Sequence, residues 1–232
     1  MLYTARLFKS LKIALERLEN YYSKAMMQHT DCQLTFPYTN SIKIDDDNVK
    51  LTYISKISED RDIFRATLGD GPDSREVIIK FVQHYAVDCH KACHELGFSP
   101  ELIACEPIAG GWYIVVIEFL GDYEPLSEIR RHSKDEWQVI KIETMEMVTK
   151  MHNKGFVHGD MRLPNILIKE SGSEHSLKII DFDWAGMLGE AKYPPFLNQE
   201  INWHPDVGFG KKIKKEHDLH LIDMEFQYYI KT

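Results

Sequence analysis

Phe156 to Gly186 reads FVHGDMRLPNILIKESGSEHSLKIIDFDWAG, and the order of its charged and amide side chains decides how the rest of the chain is read. Asp160 follows the apolar pair Phe156-Val157 and lies five residues before Asn165, with Arg162 between them. One tight loop can therefore gather an acid, a cation and an amide. Ile166-Leu167-Ile168 and Leu177 to Ile180 read as two short apolar strands around the polar turn Glu170 to Ser176, and Asp181 ends the second strand. A hairpin of this kind returns Asp181 to the side of Asn165.

These residue types suit one chemistry. Phosphoryl transfer asks little covalent work of a protein; it needs an in-line nucleophile, a positioned metal on the phosphates and positive charge near the transferring group. Asp160 is the candidate to orient or deprotonate an incoming hydroxyl, Asn165 and Asp181 offer hard oxygen ligands for Mg2+, and Arg162 is expected to meet the terminal phosphate.

On these residues the chain resembles a known superfamily. HGDMRLPN looks like the catalytic loop of protein kinases and aminoglycoside phosphotransferases, and IDFDWAG resembles their metal-binding loop, with the Asp-x4-Asn spacing kept. From about Tyr21 onward the chain is most similar to compact kinase-like proteins of fungi, which share HGD, DFDWAG and a following YP. The resemblance implies an α+β, bilobal kinase-like fold, with an antiparallel-sheet N-lobe at 41–120 and a mainly helical, shortened C-lobe at 121–232. An N-terminal helix and connection, 1–40, is expected to pack on that body. ATP and Mg2+ are the implied cofactors, and the phosphoacceptor is a protein or a small molecule.

Composition agrees with one catalytic unit. The 232 residues suffice for one large domain or two small lobes, and the net charge of −8 disfavours a nucleic-acid surface. The run Lys211-Lys212-Ile213-Lys214-Lys215 is too isolated to reverse this and reads as a solvated face. No apolar segment approaches the ~20 residues of a membrane span. Cys32, Cys89, Cys93 and Cys105, with no secretory signal peptide ahead of them, read as reduced thiols, which points to cytoplasm or nucleus. Cys89, His90, Cys93 and His94 invite a metal check, but the Cys pair and the His pair lie about 100° apart around a helix, so helix packing is the expected role.

Leu2 to about Tyr22 has the periodicity of an amphipathic helix, and the mixed stretch Met26 to Tyr38 reads as a connection. Asp45-Asp46-Asp47-Asn48 reads as a turn. Leu51 to Ile57, Ile63 to Leu68 and Val77 to Val82 read as three antiparallel strands. By resemblance, Lys80 in VIIKF is the lysine that holds the α and β phosphates. Two departures from the family pattern stand out: the turn Ser58 to Asp62 contains no glycine, and the helix from about Tyr85 to Leu96 offers only Asp88 where a glutamate normally holds the lysine. Asp88 can equally be a plain exposed helix acid.

Glu101 to Ile108 and Trp112 to Phe119 resemble the strands that lead into an adenine-binding connection. Ile117 is then expected at the back of the pocket, with the Glu118 carbonyl and the Leu120 amide on the adenine edge. Ser133 to Lys154 reads as a buried helix with a Ser133–Glu136 capping box and an apolar stripe of Trp137, Ile140, Ile142, Met145, Val148 and Met151. Asp183 stands where protein kinases have glycine, and Gly159 stands where many keep an arginine that reads a phosphorylated loop. After an irregular segment from Tyr193 to Gly210, a closing helix from His217 to Tyr229 carries Asp218, which resembles the acid that braces the catalytic loop; alternatively it is an ordinary acid at a helix N-terminus. Two functions follow from the resemblance: an ATP- and Mg2+-dependent phosphotransferase, or a pseudokinase that binds nucleotide or a partner without turnover.

Overall fold

The computed structural model describes residues 8–20, 39–172 and 174–231. The expected connection 26–38 lies outside them. The chain divides into two compact units, Met1–Thr39 and Asn40–Thr232. In the first, residues 8–20 form one helix (α1), on which Lys12 and Glu16 face each other one turn apart and Asn20 Nδ2 donates to the Glu16 carbonyl.

The second unit opens with a sheet of six antiparallel strands. Chain order runs β1 (Ser41–Ile44), β2 (Asp47–Lys56), β3 (Ile63–Leu68), β4 (Arg75–Val82), β5 (Leu102–Ile108) and β6 (Trp112–Glu118), while sheet order is β1-β2-β3-β4-β6-β5. Asp45 and Asp46 take positive φ at +49° and +74°, the conformation of a two-residue hairpin turn whose twist matches that of the flanking strands. This is the expected turn, and it reveals a short edge strand, β1, ahead of it. The sheet curls until its first and last strands meet, with Lys43 N donating to Glu106 Oε1 at 3.1 Å.

Strand alternation sorts the two faces. Ala66, Val77, Ile79, Phe81, Ile114 and Val116 are buried on one face. Arg65, Ile78, Lys80, Val115 and Ile117 share the other, in cross-strand register Arg65↔Ile78↔Ile117 and Lys80↔Val115. Val115 and Ile117 join the core that continues through α2 (Val87–Glu95) into the second half of the molecule.

That half is built on α3 (Lys134–Asn153) and α4 (Lys215–Lys231). The expected capping box is present: Ser133 Oγ accepts from Glu136 N at 3.3 Å, and Glu136 Oε2 accepts from Ser133 N at 2.7 Å. The buried stripe is Trp137, Ile140, Thr144, Met147, Val148 and Met151. Ile142 was expected there but is 49% exposed, because two residues from Ile140 is about 200° around the helix. Trp137 stacks on Tyr229 of α4 with centroids 4.2 Å apart and meets Phe226 edge-on at 5.7 Å.

Three small pairings place the loops between the helices. The strands β7 (Glu124–Pro125), β9 (Ile166–Ser171) and β10 (Glu174–Ile179) form one sheet, and β8 (Phe156–Val157) pairs with β11 (Gly186–Met187). No helix among the described residues is long and apolar enough to cross a membrane.

Candidate active site

The β9–β10 hairpin does what its sequence requires. Ile179 pairs with Ile166, the next amide, Ile180 N, donates to the Asn165 carbonyl at 3.0 Å, and Asp181 therefore emerges beside Asn165. Asp181 has φ +69°, an unfavourable conformation for a side chain with a Cβ and one that concentrates at functional sites.

Asp160 is nearly fully buried and held from two sides. Arg162 grips both of its oxygens, Nε to Oδ1 at 2.5 Å and Nη2 to Oδ2 at 2.9 Å, and Asn165 Nδ2 donates to Oδ2 at 2.9 Å and to the Asp160 carbonyl at 2.8 Å. Spending the Asn165 donors this way leaves its amide oxygen as the atom it can offer a cation. Arg162, expected to meet a terminal phosphate, here clamps Asp160.

Behind this loop stands Asp218, 0% exposed at the start of α4. Its Oδ2 accepts from His158 N at 2.9 Å and from His152 Nε2 at 2.8 Å, while Oδ1 accepts from Gly159 N at 2.7 Å. The bracing role is thus the one the geometry supports. Gly159 has φ +85°, and a Cβ there would lie 2.6 Å from Ile213 Cδ1, so a larger residue would strain the backbone and push that buried side chain aside.

Lys80, 6% exposed, reaches Asp181 Oδ1 at 2.6 Å and Asp183 Oδ1 at 2.7 Å. The expected pairing with Asp88 is not made. Residues 84–86 are first stitched to the 182–183 loop, His84 Nδ1 to the Asp183 carbonyl at 2.6 Å and Ala86 N to the Phe182 carbonyl at 3.2 Å. This brings Asp181 and Asp183 to the ammonium and leaves Asp88 in the first turn of α2. Burial alone would lower the Lys80 pKa, but the two carboxylates overcome it and hold the group above its ordinary value. Burial pulls Asp181 the other way, yet Lys80 and Arg61 drive its carboxyl well below the usual range. Asp183, pushed up by burial and then by the Asp181 charge, titrates at about 6.

Arg61 was not singled out by its sequence context. It lies in the glycine-free turn, and its Nη1 donates to Asp181 Oδ2 at 2.7 Å, 120 positions along the chain. Lys80, Asp160, Asp181, Asp183 and Arg61 line one cavity of about 560 Å3. Arg162 and Asn165 support it from behind. Glu118 and Leu120 are not brought to it: among the described residues its lining takes none from 117–121. On that side of the sheet, Arg65 holds Glu76 through two 2.7 Å contacts and lays its guanidinium 4.7 Å from the Phe119 ring centre.

Phe182 joins the site to the core. Its ring stacks on His90 of α2 at 4.5 Å and meets His158 of the catalytic loop at 5.4 Å. His90 and the two cysteines around it serve this packing, and the described cysteines, Cys89, Cys93 and Cys105, are free.

The protein kinase domain profile matches residues 76–204, more than half of the chain. The chain belongs to the protein kinase family. It is 30% identical over 154 residues to the casein kinase 1-like protein HD16 of Oryza sativa subsp. japonica, covering 60% of this chain and 22% of that protein. It is 28% identical over 109 residues to the serine/threonine-protein kinase CG17528 of Drosophila melanogaster, covering 43% of this chain and 14% of that one. The chain spans only about a fifth, or less, of the length of these relatives. In three dimensions it is similar to the Cydia pomonella granulovirus kinase PK-1, with a TM-score of 0.62 at 12% identity over 78% of this chain and 68% of that one. That likeness establishes the bilobal kinase-like fold, and the family is one of ATP- and Mg2+-using phosphotransferases.

Proposed function

We propose that this domain moves the γ-phosphoryl group of ATP to a hydroxyl of a protein or small molecule, with Asp160 as the base. The observation that carries the reading is the meeting of Lys80, Asp160 and Asp181 on one cavity, with Asn165 bonded to Asp160 behind them. The lobes 41–120 and 121–232 form the two walls of the cleft, and the free, reduced cysteines suit a cytoplasmic or nuclear protein.

The donor set fits the implied cofactors. Asp181 stays ionised through its cationic partners, and with the Asn165 amide oxygen it forms a hard-oxygen pair of the kind Mg2+ takes. When bound, Mg2+ neutralises phosphate charge; Lys80 exchanges a carboxylate for a phosphate oxygen, and Arg162 keeps the Asp160 carboxylate aimed at the acceptor hydroxyl. Glu118 and Leu120 contact the base through their backbone once Arg65 moves aside.

A second reading, a domain that binds nucleotide or a partner without turnover, is favoured by that same Arg65, which covers Phe119 where the base is expected. Labelled ATP with Mg2+, alone and with a generic protein acceptor, separates the two. Transfer that disappears in Asp160→Asn while nucleotide binding persists supports catalysis. Binding without transfer in the parent chain supports the second reading.

A further inference from the structure

We propose that Asp183 is the positioning residue for Lys80, the acid that keeps its ammonium aimed at the phosphates once Mg2+ has claimed Asp181. This role rests on the catalytic reading above and adds one side chain to it.

Lys80 has two carboxylate partners, Asp181 Oδ1 at 2.6 Å and Asp183 Oδ1 at 2.7 Å, and the two are not equivalent. Asp181 emerges beside Asn165 and forms with it the hard-oxygen pair that suits Mg2+, so a bound ion draws it away from the ammonium. Asp181 is also held by Arg61, whereas Lys80 is the one ion-pair partner of Asp183 among the described residues. An ammonium only 6% exposed that lost both acids would be a buried charge held by the phosphates alone. Lysine carries its charge on a flexible four-carbon stem, and one fixed acid keeps the nitrogen in place while nucleotide enters and leaves.

No acid on α2 can take this part. The buried face of the helix is Cys89, His90 and Cys93, and its acids, Asp88 and Glu95, are exposed. Asp88 lies about 100° around the helix from Cys89, so turning it inward would rotate the cysteines and His90 out of the core. The helix start holds the acid-bearing loop instead of carrying the acid. His84 Nδ1 donates to the Asp183 carbonyl at 2.6 Å, Ala86 N donates to the Phe182 carbonyl at 3.2 Å, and Phe182 stacks on His90 at 4.5 Å. Between His84 and Ala86, Tyr85 donates its hydroxyl hydrogen to His90 and sets its ring centre 5.9 Å from the Lys80 nitrogen. One short segment, 84–86, thus locates the lysine and its acid together, and Asp183 lines the cavity beside Lys80.

The test is steady-state phosphoryl transfer by the full chain at saturating ATP across a Mg2+ series, comparing the parent with Asp183→Asn, Asp183→Glu and Asp88→Asn. In Asp183→Asn, kcat should fall about 10²-fold while KM for ATP changes by less than about threefold, and excess Mg2+ should not restore the rate. Asp183→Glu keeps the charge and should recover most of the loss, and Asp88→Asn should match the parent. A loss cured by excess Mg2+ would make Asp183 a metal ligand, and equal losses in the Asn and Glu variants would make it a packing residue. Either result overturns the proposal, as does a parent-like Asp183→Asn or an equal loss in Asp88→Asn. Where the parent transfers nothing, or Asp183→Asn does not fold, a crystal structure of the parent with ADP and Mg2+ decides. Lys80 still bonded to Asp183 with Asp181 on the ion supports the positioning role even if the catalytic reading has failed; Lys80 released from Asp183, or a chain that takes up no nucleotide, overturns it.

Discussion

At one end of the cleft Lys80, Arg61, Asp181 and Asp183 form a closed network of opposite charges, each group already holding another. At the other end a single cation, Arg65, lies over an aromatic ring with Glu76 behind it. The first arrangement is charge-balanced and, apart from the exposed Arg61, largely buried, and a polyanion with Mg2+ can exchange into it partner for partner. The second is half exposed and only covers a surface. The two ends therefore differ in what opening them costs: the charged end must trade ion pairs, and the connection end needs one side chain to turn away.

The largest expected effect lies at the charged end. Asp181→Ala removes a metal ligand and the shared partner of Lys80 and Arg61; turnover should fall by about 10³-fold or more, and nucleotide binding should lose its dependence on Mg2+. Retention of a Mg2+-dependent binding signal in this variant would break the assignment. Next comes the brace beneath the loop. Asp218→Asn leaves three buried donors sharing one acceptor oxygen, and chemical denaturation should show a loss of about 4 kcal/mol. A loss under 1 kcal/mol would mean that the loop does not depend on this carboxylate.

Acid should act through His90. Its Nε2 donates to the Pro100 carbonyl at 2.9 Å and its Nδ1 accepts from the Tyr85 hydroxyl at 2.7 Å, so the neutral ring is satisfied and charging it adds an unwanted proton. Burial lowers its pKa from 6.5 to about 4. The folded state thus resists a proton that the unfolded chain accepts: stability is intact above pH 6.5 and falls progressively as pH drops toward 4. At about 1.4 kcal/mol per unit, the loss is about 3 kcal/mol. The unfolding free energy across this window should fall by that much more in the parent than in His90→Gln, and equal losses would exclude His90 as the titrating group.

Sequence legibility divides along the same line as the cleft. Asp160, Arg162, Asn165 and Asp181 lie within one loop and one hairpin, so their convergence follows from strand lengths and a turn, and Lys80 follows from its strand and the family pattern. Their roles were less legible. Arg162 clamps Asp160 because it is two residues away on the same tight loop, a contact available before any phosphate arrives. The Lys80–Asp183, Arg61–Asp181 and Arg65–Phe119 contacts join residues 54 to 120 positions apart, and no local period records such a pairing. β1 was hidden for a related reason: four residues after a connection carry too little alternation to declare a strand, and only the Asp45-Asp46 turn hinted at a partner for β2.

The smallest effect is the one that sharpens the comparison most. Arg65→Ala removes a cation–π contact and a half-exposed ion pair, together about 1.4 kcal/mol, from the state in which Phe119 is covered. If that covered state opposes the base, ATP should bind about tenfold more tightly to the variant. Adenosine isolates this end, since it carries no phosphate to engage Lys80, and should gain by the same factor. Inorganic triphosphate isolates the other end and should not change. Arg61→Ala reverses the pattern: triphosphate and Mg2+ binding shift while adenosine does not. An Arg65→Ala variant that binds adenosine no better than its parent would show that the guanidinium already turns away freely, and the two ends of the cleft would then open independently of it.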